Sequence, residues 1–449
     1  MKIKSLTFHS FPCPHSFVFL AAVLFALASM TAAKAAKPSI VYFLVDDLGY
    51  ADCGFNGGKD IRTPNIDKLA KQGAVLKSFY VQPLCSPTRA ALLSGRYPTR
   101  TGVYSIVTPG ARWGLPLDQR TLPQALVDAG YTTAICGKWH LGEFRAEYRP
   151  SQRGFQHQYG GMMGALDYFT HLRDGKLDWY RDDKPLKEEG YTTSLIAREA
   201  SRLIRAQPAG KPLFLYVPFN GIHSPFQVPT NYAAPYQHLP KPRNTAAGML
   251  AAVDEAIGQI TAALEEKGLR DNTLIIFSSD NGGPTKSTLN TPLRGGKGGI
   301  YEGGVRVAAF ATWPGKIKPG TIVDEPIHIV DWYPTLLKLA DASTTQKHAP
   351  DGLDIWPVLT KGAKSPHDAI LLHGTTLNAK AVRMGDWKLL LPASGKMELY
   401  NLAKDIFEKH DLAATEPQRV KAMRARLDEL TKDAKPLGGP LPGAKKEDP

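Results

Sequence analysis

Short apolar runs alternate with amphipathic segments along most of this chain. The runs Ser39–Val45, Tyr131–Cys136, Leu213–Phe219 and Thr273–Ser278 are almost continuous, which predicts strands buried on both faces of a sheet. Before the last run, apolar residues from Leu250 to Leu264 recur at helical spacing and predict a helix. This alternation of strands and helices is typical of the α/β fold class.

The pattern changes beyond about Ala340, where helical segments become rarer. Two strands are predicted at Val382–Leu391 and Met397–Leu402, and a helix at Pro417–Lys432. We therefore predict a large α/β domain at 36–340, a smaller C-terminal α+β subdomain at 341–435 and a basic, disordered tail at 436–449.

Residues 1–35 have the composition of a secretory signal peptide. Lys2 and Lys4 precede the apolar segment Phe17–Met30, and Ala33-Lys34-Ala35 offers a small-x-small cleavage site. A spanning helix needs about 20 apolar residues, so this segment is too short for a stable membrane anchor. The sequence predicts an exported protein, periplasmic or secreted.

The charge balance favours an acidic partner. The 449 residues include 55 Lys+Arg and 42 Asp+Glu, a formal net charge of +13. No nucleic-acid-binding module is recognisable, so we predict no nucleic-acid partner. Removal of the signal peptide leaves Cys53, Cys85 and Cys136. We expect Cys53 and Cys136 to be small buried side chains, with a bridge between them left open as an alternative.

Polar residues follow all four predicted central strands. They are Asp46-Asp47, Gly137-Lys138-Trp139-His140, Asn220–Pro225 and Asp280-Asn281-Gly282-Gly283. Because ligands of α/β sheets bind beyond the carboxyl ends of the strands, these residues predict a functional site.

The oxygen donors of this site suggest a metal. Asp46, Asp47, Asp280 and Asn281 offer only oxygen ligands, which suit Ca²⁺ or Mg²⁺ rather than zinc. Either pair alone is equally compatible with an ordinary polar turn. The occurrence of both pairs after strong apolar strands favours the metal.

The segment around Cys85 predicts an anion site at the start of a helix. Ser86 can cap a helix whose first residue is Pro87, which places residue 85 at the helix N-terminus. Backbone N–H groups and the helix dipole favour an anion there. Arg89 lies one turn into the helix, where it can support the same charge.

The sequence Cys85-Ser86-Pro87-Thr88-Arg89, followed by Leu93-Ser94-Gly95-Arg96, resembles the signature of the type I, formylglycine-dependent sulfatases. The resemblance covers nearly the whole chain after the signal peptide, and within the family it is greatest to arylsulfatase B. It implies an alkaline-phosphatase-like mixed sheet flanked by helices. Further matching segments are Asp46–Tyr50, Thr63–Asp67, Gly137–Gly142, Asp280–Gly283, Glu302–Arg306, Gly385–Leu389 and Glu398–Leu402.

The resemblance also implies a mechanism. A separate maturation enzyme would convert Cys85 to formylglycine, whose hydrated gem-diol attacks the sulfur of a sulfate ester. One Ca²⁺, with Mg²⁺ less favoured, would be bound by Asp46, Asp47, residue 85, Asp280 and Asn281. The implied catalytic residues are Arg89 and Lys138, which hold residue 85 and the sulfate; His140, the base; and His223 and Lys297, which bind a sulfate oxygen and protonate the leaving oxygen.

The resulting hypothesis is a sulfatase acting on a sulfated carbohydrate of the galactose or galactosamine type. One alternative is a phosphate or phosphonate monoester hydrolase of the same superfamily. Another is a glycan-binding protein in which Cys85 is never matured. His171, His328 and His373 are interpreted as structural residues, and Asp167, Tyr168 and His171 as a less favoured specificity pocket.

Overall fold

The computed structural model describes residues 1, 4–10, 36–375 and 378–438. The chain divides into two compact units, residues 1–36 and residues 37–449. The predicted apolar segment of the signal peptide, Phe17–Met30, lies outside the described residues, as does most of the predicted tail. In the part of the chain that the structure describes, no helix is both long and apolar enough to span a membrane.

A ten-stranded mixed sheet forms the centre of the second unit. In chain order its strands are β1 Ser39–Val45, β2 Ala74–Leu76, β3 Thr132–Cys136, β4 His157–Gly160, β5 Tyr180–Arg181, β6 Lys184–Pro185, β7 Leu213–Phe219, β8 Thr273–Ser279, β9 Ala309–Thr312 and β10 Thr321–Val323. Their spatial order is β10-β2-β9-β8-β1-β7-β3-β4-β5-β6.

The middle of this sheet is parallel. Strand β1 pairs in parallel with β7 on one side and β8 on the other, and β3 continues the parallel set beyond β7. All residues of β1, β7 and β8 are buried, as expected for strands covered on both faces. The four apolar runs of the sequence therefore become neighbouring parallel strands, and their carboxyl ends meet at one edge.

Helices cover both faces of the sheet. Alternate residues of β1 pack into two separate apolar layers, with Tyr42 in one and Phe43 in the other. The first layer includes the helices at Cys85–Ser94 and Leu122–Asp128, and the second includes those at Thr192–Ala206 and Arg243–Glu266. The main helices, in chain order, are α1 Pro64–Lys71, α2 Cys85–Ser94, α3 Leu122–Asp128, α4 Thr192–Ala206, α5 Arg243–Glu266, α6 Trp332–Leu339, α7 Trp356–Lys361 and α8 Pro417–Thr431.

A separate four-stranded antiparallel sheet forms the C-terminal part. Its strands are β11 Ile370–His373, β12 Lys380–Met384, β13 Trp387–Leu391 and β14 Glu398–Asn401, and they lie in this order. The single strand predicted at Val382–Leu391 is wrong, because a tight turn at Gly385-Asp386 divides it into β12 and β13. Gly385 has a φ of 56°, which permits this turn. The domain boundaries remain predictions.

Cys53 and Cys136 are both free and buried. The small apolar alternative therefore describes them, and they form no bridge with each other. The helix at Pro417 ends at Thr431, one residue before its predicted end.

Candidate active site

Asp46 and Asp47 directly follow β1 at the carboxyl edge of the sheet. Asp46 is fixed by its backbone, since its N–H donates to the carbonyl of Gly221 at 3.0 Å and its carbonyl accepts from Ile222 at 2.7 Å. Asp47 has a φ of 64°, a conformation that few non-glycine residues adopt. The turn therefore directs two adjacent carboxylates into the same pocket.

Asp280 and Asn281 enter this pocket from the end of β8. The Asp280 N–H donates to the Val45 carbonyl at 3.1 Å, which continues the pairing of the two strands. The Asn281 amide donates to Asp47 Oδ1 at 2.8 Å. We call Asp46, Asp47, Asp280 and Asn281 the carboxylate pocket.

Helix α2 brings Cys85 to the carboxylate pocket, although its start differs from the prediction. The helix begins at Cys85 with Leu84 as N-cap, so Pro87 is its third residue. Ser86 does not cap the helix, because its hydroxyl donates to the His140 carbonyl at 2.8 Å. Residue 85 nevertheless lies at the helix N-terminus, as predicted.

Two buried cations neutralise the carboxylates. Arg89 donates to Asp280 Oδ2 at 2.8 Å and to Asp46 Oδ2 at 3.3 Å. Lys138 forms a short ion pair with Asp46, and its carbonyl accepts from Arg89 at 2.8 Å. All four side chains of these ion pairs are inaccessible to solvent, so the charges interact at low dielectric.

His140 is held in an unusual conformation by a neighbouring loop. Its φ is 62°, and its N–H donates to the Met162 carbonyl at 3.0 Å. A Cβ added to Gly164 would come within 2.5 Å of the His140 ring. The loop therefore fixes the histidine and also closes over it.

Asp178, which no sequence pattern indicated as a site residue, fixes this loop. The Asp178 carboxylate accepts from the N–H groups of Met162 and Met163 at 3.0 and 2.9 Å. Asp178 is fully buried, and burial raises its pKa to about 6. It follows no predicted strand and belongs to no quoted motif, so no local pattern marked it.

His223 and Lys297 complete the set at the more exposed side. Lys297 Nζ lies 2.6 Å from Asp47 Oδ1, and His223 Nε2 lies 3.9 Å from Asp47 Oδ2. The buried Tyr168 hydroxyl donates to the carbonyls of Asn220 and His223, at 2.6 and 2.7 Å. Tyr168 thus fixes the turn that carries His223 from the buried side, and it does not line an open pocket.

The carboxylate pocket has the chemistry of a divalent cation site. One ligand atom from each of Asp46, Cys85 and Asp280 falls within 4.8 Å of the others, and Asp46, Asp47 and His223 form a second such group. Among the described residues, Asp46 Oδ1 and Asn281 Oδ1 are buried without a hydrogen-bond partner. Burial and the charge of Asp46 raise the pKa of Asp280 to about 6. A bound cation would satisfy both orphan oxygens and relieve this repulsion.

The pKa values separate the other groups by role. Burial raises the pKa of the Cys85 thiol, which disfavours a thiolate. Burial and the charges of Lys138 and Arg89 lower the pKa of His140 well below its usual range, so its imidazole is neutral. Burial alone would lower the pKa of Lys297, but Asp47 raises it overall. The pocket therefore holds the neutral imidazole of His140 beside the positively charged side chains of Arg89 and Lys297.

The three histidines interpreted as structural lie in the core. His171 stacks on Trp179 with ring centroids 4.7 Å apart, and its Nε2 lies 3.1 Å from the Gly190 carbonyl. His328 and His373 are also buried and both contact Gln82. All six predicted catalytic residues, by contrast, lie around the carboxylate pocket.

Comparison with known proteins identifies the class of this molecule. The sulfatase family model matches residues 38–342, about two thirds of the chain. The chain therefore belongs to the sulfatase family and is a sulfatase. Its fold is shared by the solved structures of the yidJ protein from Bacteroides fragilis and of the phosphonate monoester hydrolase of Agrobacterium radiobacter, with TM-scores of 0.76 and 0.67.

Individual relatives are similar over almost the whole chain. Arylsulfatase J of Mus musculus is 35% identical over 467 residues, covering 91% of this chain and 78% of that protein. N-acetylgalactosamine-6-sulfatase of Mus musculus is 34% identical over 82% of this chain and 74% of that protein. The crystal structure of Ps i-CgsB in complex with k-i-k-neocarrahexaose has 35% identity and a TM-score of 0.86, covering 90% of this chain and 94% of that chain.

Proposed function

We propose that this sulfatase removes sulfate from a galactose- or galactosamine-type carbohydrate, with a formylglycine formed from Cys85 as the nucleophile. The position of Cys85 carries the proposal. It begins helix α2 beside Asp46 and Asp280, yet burial keeps its thiol protonated. A thiol that is placed as a nucleophile but not activated needs conversion to a more reactive group.

The residues of the pocket account for both halves of the reaction. In the first half, one hydroxyl of the hydrated formylglycine passes its proton to a carboxylate of the pocket, its oxygen forms a bond to sulfur, and the bond from sulfur to the sugar oxygen breaks. Lys138 and Lys297 bind the sulfate oxygens, and Lys297 with His223 protonates the sugar oxygen. A divalent cation in the carboxylate pocket, Ca²⁺ rather than Mg²⁺, would supply further positive charge for the anionic groups.

The second half needs a base that is neutral at the working pH. His140 accepts the proton of the remaining hydroxyl, the bond from carbon to the sulfate oxygen breaks, and the aldehyde returns. The lowered pKa of His140 keeps its imidazole ready for this step. Arg89 contacts Asp46 and Asp280, so we assign it to holding the carboxylates and residue 85.

The relatives support the substrate class. One of them is named for N-acetylgalactosamine 6-sulfate and a similar structure holds k-i-k-neocarrahexaose. The particular resemblance to arylsulfatase B remains a prediction. A phosphate or phosphonate ester as main substrate is not favoured, because relatives with 32–35% identity to this chain are named as sulfatases.

Mass spectrometry of the purified enzyme tests the nucleophile. The peptide that contains residue 85 should carry an aldehyde when the chain is produced with a formylglycine-generating enzyme. The peptides of Cys53 and Cys136 from the same digest are the matched controls and should keep their thiols. Full activity with an unmodified thiol at residue 85 would contradict the mechanism and leave only the family assignment.

We also propose that the chain is exported, on the evidence of residues 1–35. N-terminal sequencing of protein recovered from the periplasm or medium should begin at Ala36. Recovery of an intact Met1 terminus in the cytoplasm would contradict export.

A further inference from the structure

One buried amide next to the carboxylate pocket has no hydrogen-bond partner. Asn220 directly follows strand β7 and is 3% exposed. Among the residues that the structure describes, neither its Oδ1 nor its Nδ2 is paired. Buried side-chain amides are normally paired, because removal of a polar group from water is costly when nothing replaces the water. The unpaired amide of Asn220 therefore indicates a place for a ligand.

The backbone of Asn220, in contrast to its amide, is fully engaged. The Asn220 carbonyl accepts from the Tyr168 hydroxyl at 2.6 Å and from the His223 N–H at 3.0 Å. The carbonyl of the next residue, Gly221, accepts from the Asp46 N–H at 3.0 Å. Asn220 is thus fixed beside Asp46, and the fold sets the position of its amide.

The order of the strands places Asn220 in the middle of the polar edge of the sheet. Strand β7 lies between β1, which is followed by Asp46, and β3, which is followed by Gly137 and Lys138. The Lys138 N–H donates to the Pro218 carbonyl at 2.8 Å, so the chain after β3 runs beside the end of β7. Asn220 therefore lies between the positions of Asp46 and Lys138, the two residues of the short ion pair.

The alternation of side chains along β7 indicates which face of the sheet Asn220 occupies. Phe219 packs in the second apolar layer, and a Cβ added to Gly221 would come within 3.0 Å of Val253 in the same layer. Successive side chains of an extended chain point to opposite faces, so Asn220 shares the other face with Tyr216. Helix α2, which begins at the nucleophile, covers that face.

We propose that Asn220 is a further sulfate-binding residue, whose Nδ2 donates to an oxygen of the sulfate group that is transferred. Sulfate oxygens and the neighbouring carboxylates only accept hydrogen bonds, so the pocket needs a donor at this point. A neutral donor that the fold holds in place stabilises the charge on the sulfate without reorganisation during the reaction. This inference rests on the proposed cleavage of a sulfate ester and does not depend on which sugar carries the sulfate.

Inhibition by inorganic sulfate, measured with an aryl sulfate as the substrate, tests this assignment. Asn220→Leu keeps the approximate shape of the side chain and removes its N–H groups. It should raise the Ki of sulfate about tenfold and lower kcat/KM by about 10- to 100-fold, the range for loss of a hydrogen bond to a charged group. The Ki does not depend on how much of the enzyme is folded or matured.

The thermal unfolding midpoint separates binding from a structural role. Asn220→Leu should raise the midpoint of the sulfate-free enzyme by about 1–2 °C, because an unpaired polar group is replaced by an apolar one. The matched control is Gln207, which is also 3% exposed but whose Nε2 donates to the Lys211 carbonyl at 2.8 Å. Gln207→Met should lower the midpoint and leave the Ki of sulfate unchanged.

An unchanged Ki in Asn220→Leu would overturn the assignment, and so would a fall of its unfolding midpoint equal to that of Gln207→Met. A weaker affinity for Ca²⁺ with an unchanged Ki at saturating Ca²⁺ would also overturn it, because the amide oxygen would then be a metal ligand. Failure of the proposed function gives a different pattern. An enzyme that cleaves the aryl sulfate but no sulfated sugar, or that is active with an unmodified Cys85, would refute that function and leave the comparison of Ki values intact.

Discussion

The carboxylate pocket and the junction with the C-terminal sheet both bury several charged side chains, and they pair these charges differently. At the junction, Lys388 Nζ lies 2.8 Å from Glu302 Oε1 and 3.0 Å from Glu408 Oε1. The other oxygen of Glu302 accepts from the Tyr80 hydroxyl at 2.7 Å, and the other oxygen of Glu408 accepts from the Glu302 N–H at 2.7 Å. Every carboxylate oxygen of this junction cluster, Glu302, Lys388 and Glu408, is therefore satisfied from within the chain.

The carboxylate pocket is left incomplete by the protein itself. Asp46 Oδ1, Asn281 Oδ1 and the nearby His140 Nδ1 are buried and have no partner among the residues that the structure describes. Buried polar atoms are normally paired, so orphan atoms in a cluster indicate a place for a ligand or a proton. The comparison teaches that burial of charge does not by itself mark an active site, because what distinguishes the carboxylate pocket is that its unpaired oxygens lie beside buried carboxylates in one cluster.

The largest effect is expected at residue 85, whose side chain is essential for the proposed reaction but contributes little to the stability of the fold. Cys85→Ala should lower kcat on an aryl sulfate by a factor on the order of 10⁶, as removal of a nucleophile does. The thermal unfolding midpoint should change little. Cys136→Ala, another buried cysteine, should keep the activity of the remaining folded enzyme. Retained turnover in Cys85→Ala would mean that the pocket uses a different nucleophile.

The junction cluster should respond in the opposite way. Lys388→Met leaves Glu302 and Glu408 buried without their cation, which should cost about 3–5 kcal/mol of unfolding free energy. Lys338→Met removes a cation from an exposed pair with Asp354, 2.6 Å apart and 69% exposed at the lysine, and should cost under about 1 kcal/mol. Equal losses of unfolding free energy in the two variants, measured by urea unfolding, would show that the junction cluster stabilises the fold no more than an exposed ion pair does.

Both carboxylate oxygens of Asp178 are hydrogen-bonded, and substitution of this residue tests whether it positions His140 in the carboxylate pocket. Asp178→Ala frees the loop that covers His140, and a small misplacement of a catalytic group can lower kcat by about 100-fold. Because His140 then becomes more solvated, its pKa should rise and the acidic limb of the kcat profile should move to higher pH. Asp178→Asn, which keeps one acceptor oxygen, should restore part of kcat. Asp174→Ala, an exposed carboxylate nearby, is the control, and an unchanged pH profile in Asp178→Ala would assign Asp178 a purely structural role.

The sequence predicted the centre of the molecule better than its edges, for a physical reason. Strands β1, β7 and β8 are buried on both faces, so their composition alone identifies them, and the residues after them lie at the predicted site. The capping box of Thr121 and Gln124 at the start of helix α3 is another feature whose partners are local in sequence.

Features that depend on distant partners could not be predicted in this way. Ser86 had a plausible local role as a cap, but its hydroxyl binds the carbonyl of His140 instead. Asp178 acts on the backbone of a loop about fifteen residues earlier, and nothing near Asp178 in the sequence indicates that contact. The division of Val382–Leu391 was missed because both halves are apolar and the turn is only two residues long.

A further buried ion pair, between His367 and Asp331, should contribute to the stability of the fold in a way that depends on pH. His367 Nε2 lies 2.8 Å from Asp331 Oδ1, and the side chain of His367 is only 5% exposed. Asp331 also accepts from the His328 N–H at 2.8 Å, so the pair fixes the entry to helix α6. Burial alone would lower the pKa of His367, but Asp331, helped by Asp368, raises it overall.

Since the folded-state pKa of His367 is raised above its ordinary value of about 6.5, its ion pair stabilises the fold fully below that pH and is lost as pH rises through the raised value. His367→Gln should therefore cost about 1.5 kcal/mol of unfolding free energy near pH 6 and clearly less near pH 9. Urea unfolding of the wild type and the variant at both pH values measures the difference. If the loss of unfolding free energy is the same at both pH values, His367 acts as a neutral hydrogen-bond partner of Asp331, and its charge does not contribute to stability.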